Sequence, residues 1–133
     1  MHILSLDQGT TSSRAILFSL DGRAQACAQQ EIKQIFPTPG HVEHDPEQIF
    51  ATQLSTARSV LRKHPPRGRD IQAIGIGNQR ETVLLWDAST GEPIDNAIVW
   101  QSRITAPICE KLKADGLESL VRKRTGLRLD PYF

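Results

Sequence analysis

The order of short apolar runs near the start of the chain restricts its fold more than any other feature. Residues 2 to 6 (HILSL) form a strand-like run that gives way at once to the polar stretch Asp7-Gln8-Gly9-Thr10-Thr11-Ser12-Ser13-Arg14. A second apolar run, Ala15-Ile16-Leu17-Phe18, follows directly. Asp21-Gly22 is then a strong hairpin signal, because both residue types tolerate the positive φ angles of a tight turn. Residues 23 to 34 resume with polar alternation, as an exposed strand does. Three strands joined in this way make an antiparallel meander.

Phe36-Pro37-Thr38-Pro39-Gly40 breaks the meander. Asp45 is placed to cap a helix that carries Pro46 and Glu47 in its first turn, where both are favoured. Ile49, Phe50, Leu54, Ala57, Val60 and Leu61 recur at helical spacing and predict its apolar face. Pro65-Pro66 ends it, within an Arg-, Pro- and Gly-rich loop over residues 62 to 69. Residues 71 to 77 (IQAIGIG) are almost entirely small or apolar, which predicts a buried parallel strand. The abruptly polar Asn78-Gln79-Arg80-Glu81 follows. Residues 82 to 86 (TVLLW) read as a return to strand, residues 97 to 100 (AIVW) as a further short apolar run, and residues 103 to 114 and 117 to 124 as helices. A meander, a helix and a parallel strand in that order define an α/β chain.

A length of 133 residues suits one domain with a core of its own. Sixteen basic residues nearly balance fifteen acidic ones, so no general attraction to nucleic acid or anionic membrane is expected. No apolar run approaches the ~20 residues needed to span a bilayer. The chain opens on a strand-like run rather than a secretory signal, so Cys27 and Cys109, far apart in sequence, read as reduced thiols in the cytoplasm. The ending at Asp130-Pro131-Tyr132-Phe133, without a closing helix, reads as part of a longer protein.

Two polar stretches can carry chemistry. Residues 7 to 14 lie in the turn between two predicted strands. There, Gly9 lets backbone N–H groups approach a ligand closely, Thr10, Thr11, Ser12 and Ser13 bring hydroxyls, and Arg14 brings a guanidinium able to grip a phosphate with two bonds. Asp7 at the strand end can hold Mg2+ through water. Composition alone favours a Ser/Thr-rich hairpin turn with an exposed Asp and Arg, and the stretch is not the P-loop pattern. Residues 78 to 82 (NQRET) stand at the carboxyl end of a predicted parallel strand, where ligands of α/β sheets gather. Arg80 can donate to hydroxyls of a polyol and Glu81 can accept from them. A solvated charge pair in a turn accounts for these residues as well.

The remaining polar clusters read as structural. His41, Glu43, His44 and Asp45 lack zinc-site spacing and fit a solvated loop with a helix cap. Arg62, Lys63, Arg67 and Arg69 fit a solvated loop. Arg122-Lys123-Arg124 fit a helix C-terminus. Trp86 is expected in the core, and Cys109 is expected to be a small buried hydrophobe.

Taken together, DQGTTSSR, PGHVEHDP at 39 to 46, IGNQRET at 76 to 82, NAIVWQ at 96 to 101 and TGLRLDPYF at 125 to 133 resemble the glycerol kinases of the FGGY carbohydrate kinase family, in order and spacing, over essentially the whole chain. NQRET is the discriminating stretch, since relatives acting on xylulose or gluconate differ there. The resemblance implies a single partial lobe over residues 1 to 133, of the ribonuclease-H-like (actin-like ATPase) fold and incomplete. It implies ATP and Mg2+ as cofactors, with Thr10, Thr11, Ser12 and Arg14 on nucleotide phosphates and Asp7 near the magnesium. Arg80, Glu81 and Tyr132 would bind glycerol hydroxyls, with Trp100 as an apolar wall. The implied reaction yields glycerol 3-phosphate and ADP. The catalytic base would lie beyond Phe133, so the chain alone is expected to be inactive. Other readings are another FGGY sugar kinase, or a non-catalytic lobe that binds ligand or forms a homo-oligomer through exposed surface.

Overall fold

The computed structural model describes residues 1–65 and 70–133. Pro66, Arg67 and Arg69 of the expected basic loop lie outside the described residues. The chain divides into two compact units, one of Met1–Lys33 with Asp45–Gln79 and one of Gln34–His44 with Arg80–Phe133.

The first unit is a four-stranded sheet carrying one helix. Strands β1 (His2–Gln8), β2 (Ser12–Ser19) and β3 (Ala24–Glu31) form the expected meander. After helix α1 (Pro46–Lys63), strand β5 (Ile71–Gly77) pairs parallel to β1, which gives the order β3-β2-β1-β5. The β2–β3 turn works as its sequence predicts: Gly22 adopts φ 83° and donates its N–H to the Ser19 carbonyl at 2.9 Å. One face of the sheet packs on α1 through Leu4, Ala15, Leu17 and Val60, flanked by Leu6, Ala26, Ala28, Ala57 and Ile71.

Helix α1 starts where expected, with the Asp45 carboxylate accepting from the N–H groups of Glu47 (2.9 Å) and Gln48 (3.4 Å). Its buried face matches the predicted one only in part: Val60 is buried and Ala57 packs against the core as expected. Thr52, Thr56 and Val60 are buried, whereas Phe50 is 67% and Leu54 37% exposed. Thr52 faces the sheet because Ser13, also fully buried, needs a polar partner there; their hydroxyls lie 2.8 Å apart. The Thr52 hydroxyl donates back to the Gln48 carbonyl at 2.8 Å, which leaves Ser13 as donor in the pair. Beside it, Gln53 donates to the Arg14 carbonyl at 3.0 Å.

Strand β5 also departs from expectation. It is not buried: it forms a sheet edge, with Ile74 58% and Ile76 76% exposed. An uncharged apolar run is compatible with burial on both faces, but among the described residues nothing covers this one.

The second unit holds strands β4 (Glu43–His44) and β6 (Ala97–Ile98), paired antiparallel, and helices α2 (Ala106–Ala114) and α3 (Glu118–Thr125). Residues 82 to 86 do not form the expected strand. They make only isolated bridges, Val83 to Ile98 and Trp86 to Pro93. Trp86 is 58% exposed rather than in the core, and its backbone bridges to Pro93 across a short turn. Cys109 is buried as expected and both cysteines are free. The polar cluster at residues 41 to 45 contributes β4 rather than a solvated loop. There His44, fully buried, makes a 2.8 Å hydrogen bond from Nε2 to the Gln34 amide oxygen.

Two outcomes follow. Thr52→Val keeps the shape but strands the buried Ser13 hydroxyl, so it should cost about 1–3 kcal/mol in denaturant unfolding. An unchanged midpoint would show that the hydroxyl pair contributes nothing. Burial pushes the His44 imidazole below its ordinary 6.5. The unfolded chain then takes up this proton first, so stability present above pH 6.5 should fall as the pH drops below it, by at most about 1.4 kcal/mol per pH unit. His44→Gln should flatten that slope.

Candidate functional site

The polar turn between β1 and β2 is held by its own backbone. The Gly9 N–H donates to the Ser12 carbonyl at 3.0 Å, and a Cβ at Gly9 would meet that same oxygen at 3.2 Å. A side chain there would crowd the turn, so close approach favours glycine. The Thr11 carbonyl accepts from Ile32 N–H at 2.9 Å, which fastens the turn to the end of β3.

Strand parity sorts the side chains of this turn. Ser13 points into the α1 interface, so of the four hydroxyl residues it is withdrawn from any ligand. Arg14 points to the opposite face. Register puts Arg14 beside Asp7 on β1 and Gln29 on β3, while Asp7 is itself beside Gly77 on β5. Gly77, Asp7, Arg14 and Gln29 therefore form one row across all four strands, on the face away from α1. Gln29 ties the row down: its Oε1 accepts from Arg14 Nε at 3.2 Å and its Nε2 donates to Ser12 Oγ at 2.9 Å. Gly77 adds no side chain, and even a Cβ there would reach only 3.7 Å from Asp7 Oδ1.

The donor set fits a polyphosphate: hydroxyls of Thr10, Thr11 and Ser12, turn N–H groups, and a guanidinium positioned by Gln29. Among the described residues no three His, Cys, Asp or Glu side chains converge as a metal site. A divalent cation at the exposed Asp7 would thus be held by one carboxylate together with water and phosphate oxygens, the manner in which Mg2+ is commonly held.

In the second unit, Glu81, Trp100 and Tyr132 line one small cavity of about 60 Å3, with Val83, Ile98 and Thr105 among its walls. The indole and phenol rings lie 5.4 Å apart at 57°. Trp100 sits in a tight turn after β6 that is anchored by buried Val99 and Ser102, with Ser102 N–H donating to the Val99 carbonyl at 2.8 Å. Tyr132 is oriented by Asp130, whose Oδ1 accepts from the Tyr132 N–H at 3.0 Å and faces Arg103 at 3.5 Å. Arg80 is exposed and is not among the residues lining the cavity.

Glu81 has φ 55°, the sole positive value at a non-glycine among the described residues. Left-handed backbone at a residue with a Cβ costs roughly 1–2 kcal/mol. Such strain persists where a side chain is needed in that position. The sequence reading named Glu81, Trp100 and Tyr132, which share one cavity, but not Gln29 and Asp130, which hydrogen-bond to Arg14 and Tyr132. Strand parity from Arg14 points to Gln29, and the Asp-Pro turn signal points to Asp130.

These elements, a β-meander crossing to a parallel strand with a polar turn at its end, are those of sugar-kinase lobes. Residues 2–133 match the FGGY family of carbohydrate kinases, N-terminal domain, and the chain belongs to that family. It is 56% identical to a glycerol kinase of Leptothrix cholodnii over 98% of its own length and 26% of that protein's. It is 58% identical to one of Sinorhizobium fredii over 99% of its length and 27% of the relative's. It superposes on the Plasmodium falciparum glycerol kinase with ADP at TM-score 0.91 and 31% identity, covering 99% of this chain and 26% of that one. A ligand-bound xylulose kinase of Lactobacillus acidophilus shares the fold at TM-score 0.89 and 24% identity, covering 98% of this chain and 26% of that one. The chain thus spans about a quarter of the length of the relatives it matches.

Glu81→Gly should raise thermal stability by roughly 1 kcal/mol, since glycine adopts this backbone at little cost. A loss of stability would mean that the Glu81 side chain makes contacts outweighing the strain.

Proposed function

We propose that this chain supplies the phosphate-binding turn and part of the polyol pocket of an ATP-dependent glycerol kinase. The observation that carries the reading is the 56–58% identity to glycerol kinases along nearly all of the chain, against 24% to the xylulose kinase of the same fold. On this reading Thr10, Thr11, Ser12 and Arg14 hold the nucleotide phosphates, and Asp7 holds Mg2+ through water. Glu81 accepts from glycerol hydroxyls, Arg80 donates to them, Tyr132 adds a hydroxyl contact and Trp100 walls the carbon chain. The match of one N-terminal domain across residues 2–133 supports treating the chain as a single, partial lobe.

ATP would donate its γ-phosphoryl group, and Mg2+ would offset charge on the phosphates. What these residues contribute is placement. Gly9 and the turn amides let the phosphates approach, and Gln29 keeps Arg14 pointed at them. The Asp130 turn fixes Tyr132, and the backbone of Glu81 aims its carboxylate. Phosphoryl transfer rests on such positioning, and the general base belongs to the part of the relatives' length that this chain does not span. The reading assigns the protein to the cytoplasm; two free cysteines fit a reducing compartment, and among the described residues no helix is long and apolar enough to cross a membrane. Self-association of the lobe remains a second reading, favoured by the exposure of β5.

The test replaces the matched quarter of the Leptothrix cholodnii glycerol kinase with these 133 residues. The chimera should phosphorylate glycerol in preference to xylulose and gluconate, while the chain alone shows no turnover. Glu81→Ala should lower kcat/KM for glycerol by roughly 10- to 100-fold, as for loss of a charged hydrogen bond. Arg14→Ala should act on ATP rather than on glycerol. A chimera that prefers another sugar, or a Glu81→Ala variant with unchanged glycerol kinetics, would refute the substrate assignment.

A further inference from the structure

We propose that Gln8 is a positioning residue for nucleotide phosphates: its carboxamide sets which way the Gly9–Thr10 peptide faces, and so presents the Thr10 N–H on the side of Asp7 and Arg14. The proposal rests on the reading of residues 10 to 14 as a phosphate site and adds to it a side chain with no role assigned there.

Strand pairing places Gln8, the last residue of β1. It stands opposite Ser13, while Asp7 stands opposite Arg14. Directly opposed side chains share a face, and successive ones alternate between faces. Ser13 is fully buried and meets Thr52 of α1 at 2.8 Å, so Gln8 belongs to the α1 face. Leu4 and Leu6, which precede it at alternate positions, pack on the same core. Asp7 and Arg14 belong to the opposite face.

From the α1 face the Gln8 carboxamide turns back on the chain. Its Nε2 donates to the Gly9 carbonyl oxygen at 2.7 Å. This contact draws the carbonyl toward the α1 side. The peptide that carries it also carries the Thr10 N–H. That peptide is planar and trans, so its N–H points opposite to its C=O. The Thr10 N–H is therefore directed to the side of Asp7 and Arg14. With the plane reversed, a carbonyl oxygen would face the phosphates in place of a donor.

A reversal is easy at this point in the chain, because Gly9 lacks the Cβ that restricts backbone rotation elsewhere. The turn is held by the Gly9 N–H on the Ser12 carbonyl at 3.0 Å and the Ile32 N–H on the Thr11 carbonyl at 2.9 Å. Neither bond uses an atom of the Gly9–Thr10 peptide, whereas the Gln8 contact does.

The test uses the chimera in which these 133 residues replace the matched quarter of the Leptothrix cholodnii glycerol kinase. Gln8→Met keeps the length of the side chain and removes the donor. With Mg2+ present, it should weaken ADP binding in calorimetry by roughly 3- to 10-fold, the range for one neutral hydrogen bond, and raise KM for ATP in parallel. Adenosine, which has no phosphate, and glycerol should bind as before. In a crystal structure of the unaltered chimera with ADP, the Gly9 carbonyl should remain on Gln8. Unchanged ADP affinity in Gln8→Met overturns the proposal and leaves the kinase reading standing. An equal loss for ADP, adenosine and glycerol also overturns it, since that is the mark of a loosened fold. So does an ADP-bound structure in which the Gly9 carbonyl has left Gln8. The ADP comparison decides the role of Gln8 even in a chimera that fails to use glycerol, so failure of the substrate reading is distinguishable. A chimera that binds no ADP removes the phosphate site, and the proposal with it.

Discussion

The geometry of the polar turn between β1 and β2 depends on how α1 is fastened to β2. Two adjacent residues of the helix reach the strand at two adjacent positions: Thr52 meets the Ser13 hydroxyl, and Gln53 meets the Arg14 carbonyl. A slip of β2 by one residue would turn Ser13 outward, bury Arg14 against the helix, and break both side-chain contacts from α1 to the strand. Hydrophobic packing by Leu17 and Val60 stabilises the interface but would tolerate small shifts. The buried hydroxyl pair does not, because an unsatisfied polar group there costs on the order of 1–3 kcal/mol. What places Arg14 on the open face is thus a contact made one residue away, on the other face of the sheet.

A similar division of labour runs through the second unit. Tyr132 and Trp100 are offered by turns, and the rigidity of those turns comes from Asp130 and from buried Val99 and Ser102. Glu81 goes further and holds a left-handed backbone. Loops carry most of the candidate site residues in both units, while strands and buried polar contacts determine where each loop points.

Local chemistry made much of this legible in the sequence. The Asp21-Gly22 turn, the Asp45 cap and the meander were readable because each rests on neighbours close in the chain. Of the candidate site residues, Asp7, Thr10, Thr11, Ser12, Arg14, Arg80 and Glu81 stand out as two short polar stretches, whereas Trp100 and Tyr132 were named only through the family resemblance. Gln29 and Thr52 were not, since their significance lies in strand pairing and helix docking with partners far along the sequence. The buried face of α1 was only partly legible for the same reason: Ala57 and Val60 meet the core as expected, but only docking decides that Thr52 and Thr56, rather than Phe50 and Leu54, continue that face. Trp86 and residues 82 to 86 failed differently, because apolar composition was taken as burial and as a continuous strand.

Those last errors share a physical cause with β5. Apolar character in a sequence records contact with something, and it does not say that the contact is made by the same 133 residues. In β5, on the flank of α1 and at Leu85 and Trp86, side chains suited to burial remain exposed after both units have formed their own cores. Exposure of that extent is unfavourable in water, at roughly 25 cal/mol for each Å2 left uncovered. Each of these surfaces is therefore a place where covering by further chain or by another molecule would be favourable. On β5 the uncharged edge adds direction to that general attraction. Backbone hydrogen bonds can form along only one line, and the alternation of Ile74, Gly75 and Ile76 decides which side chains meet there. The open edge is thus the exposed surface with the most specific demand on whatever covers it.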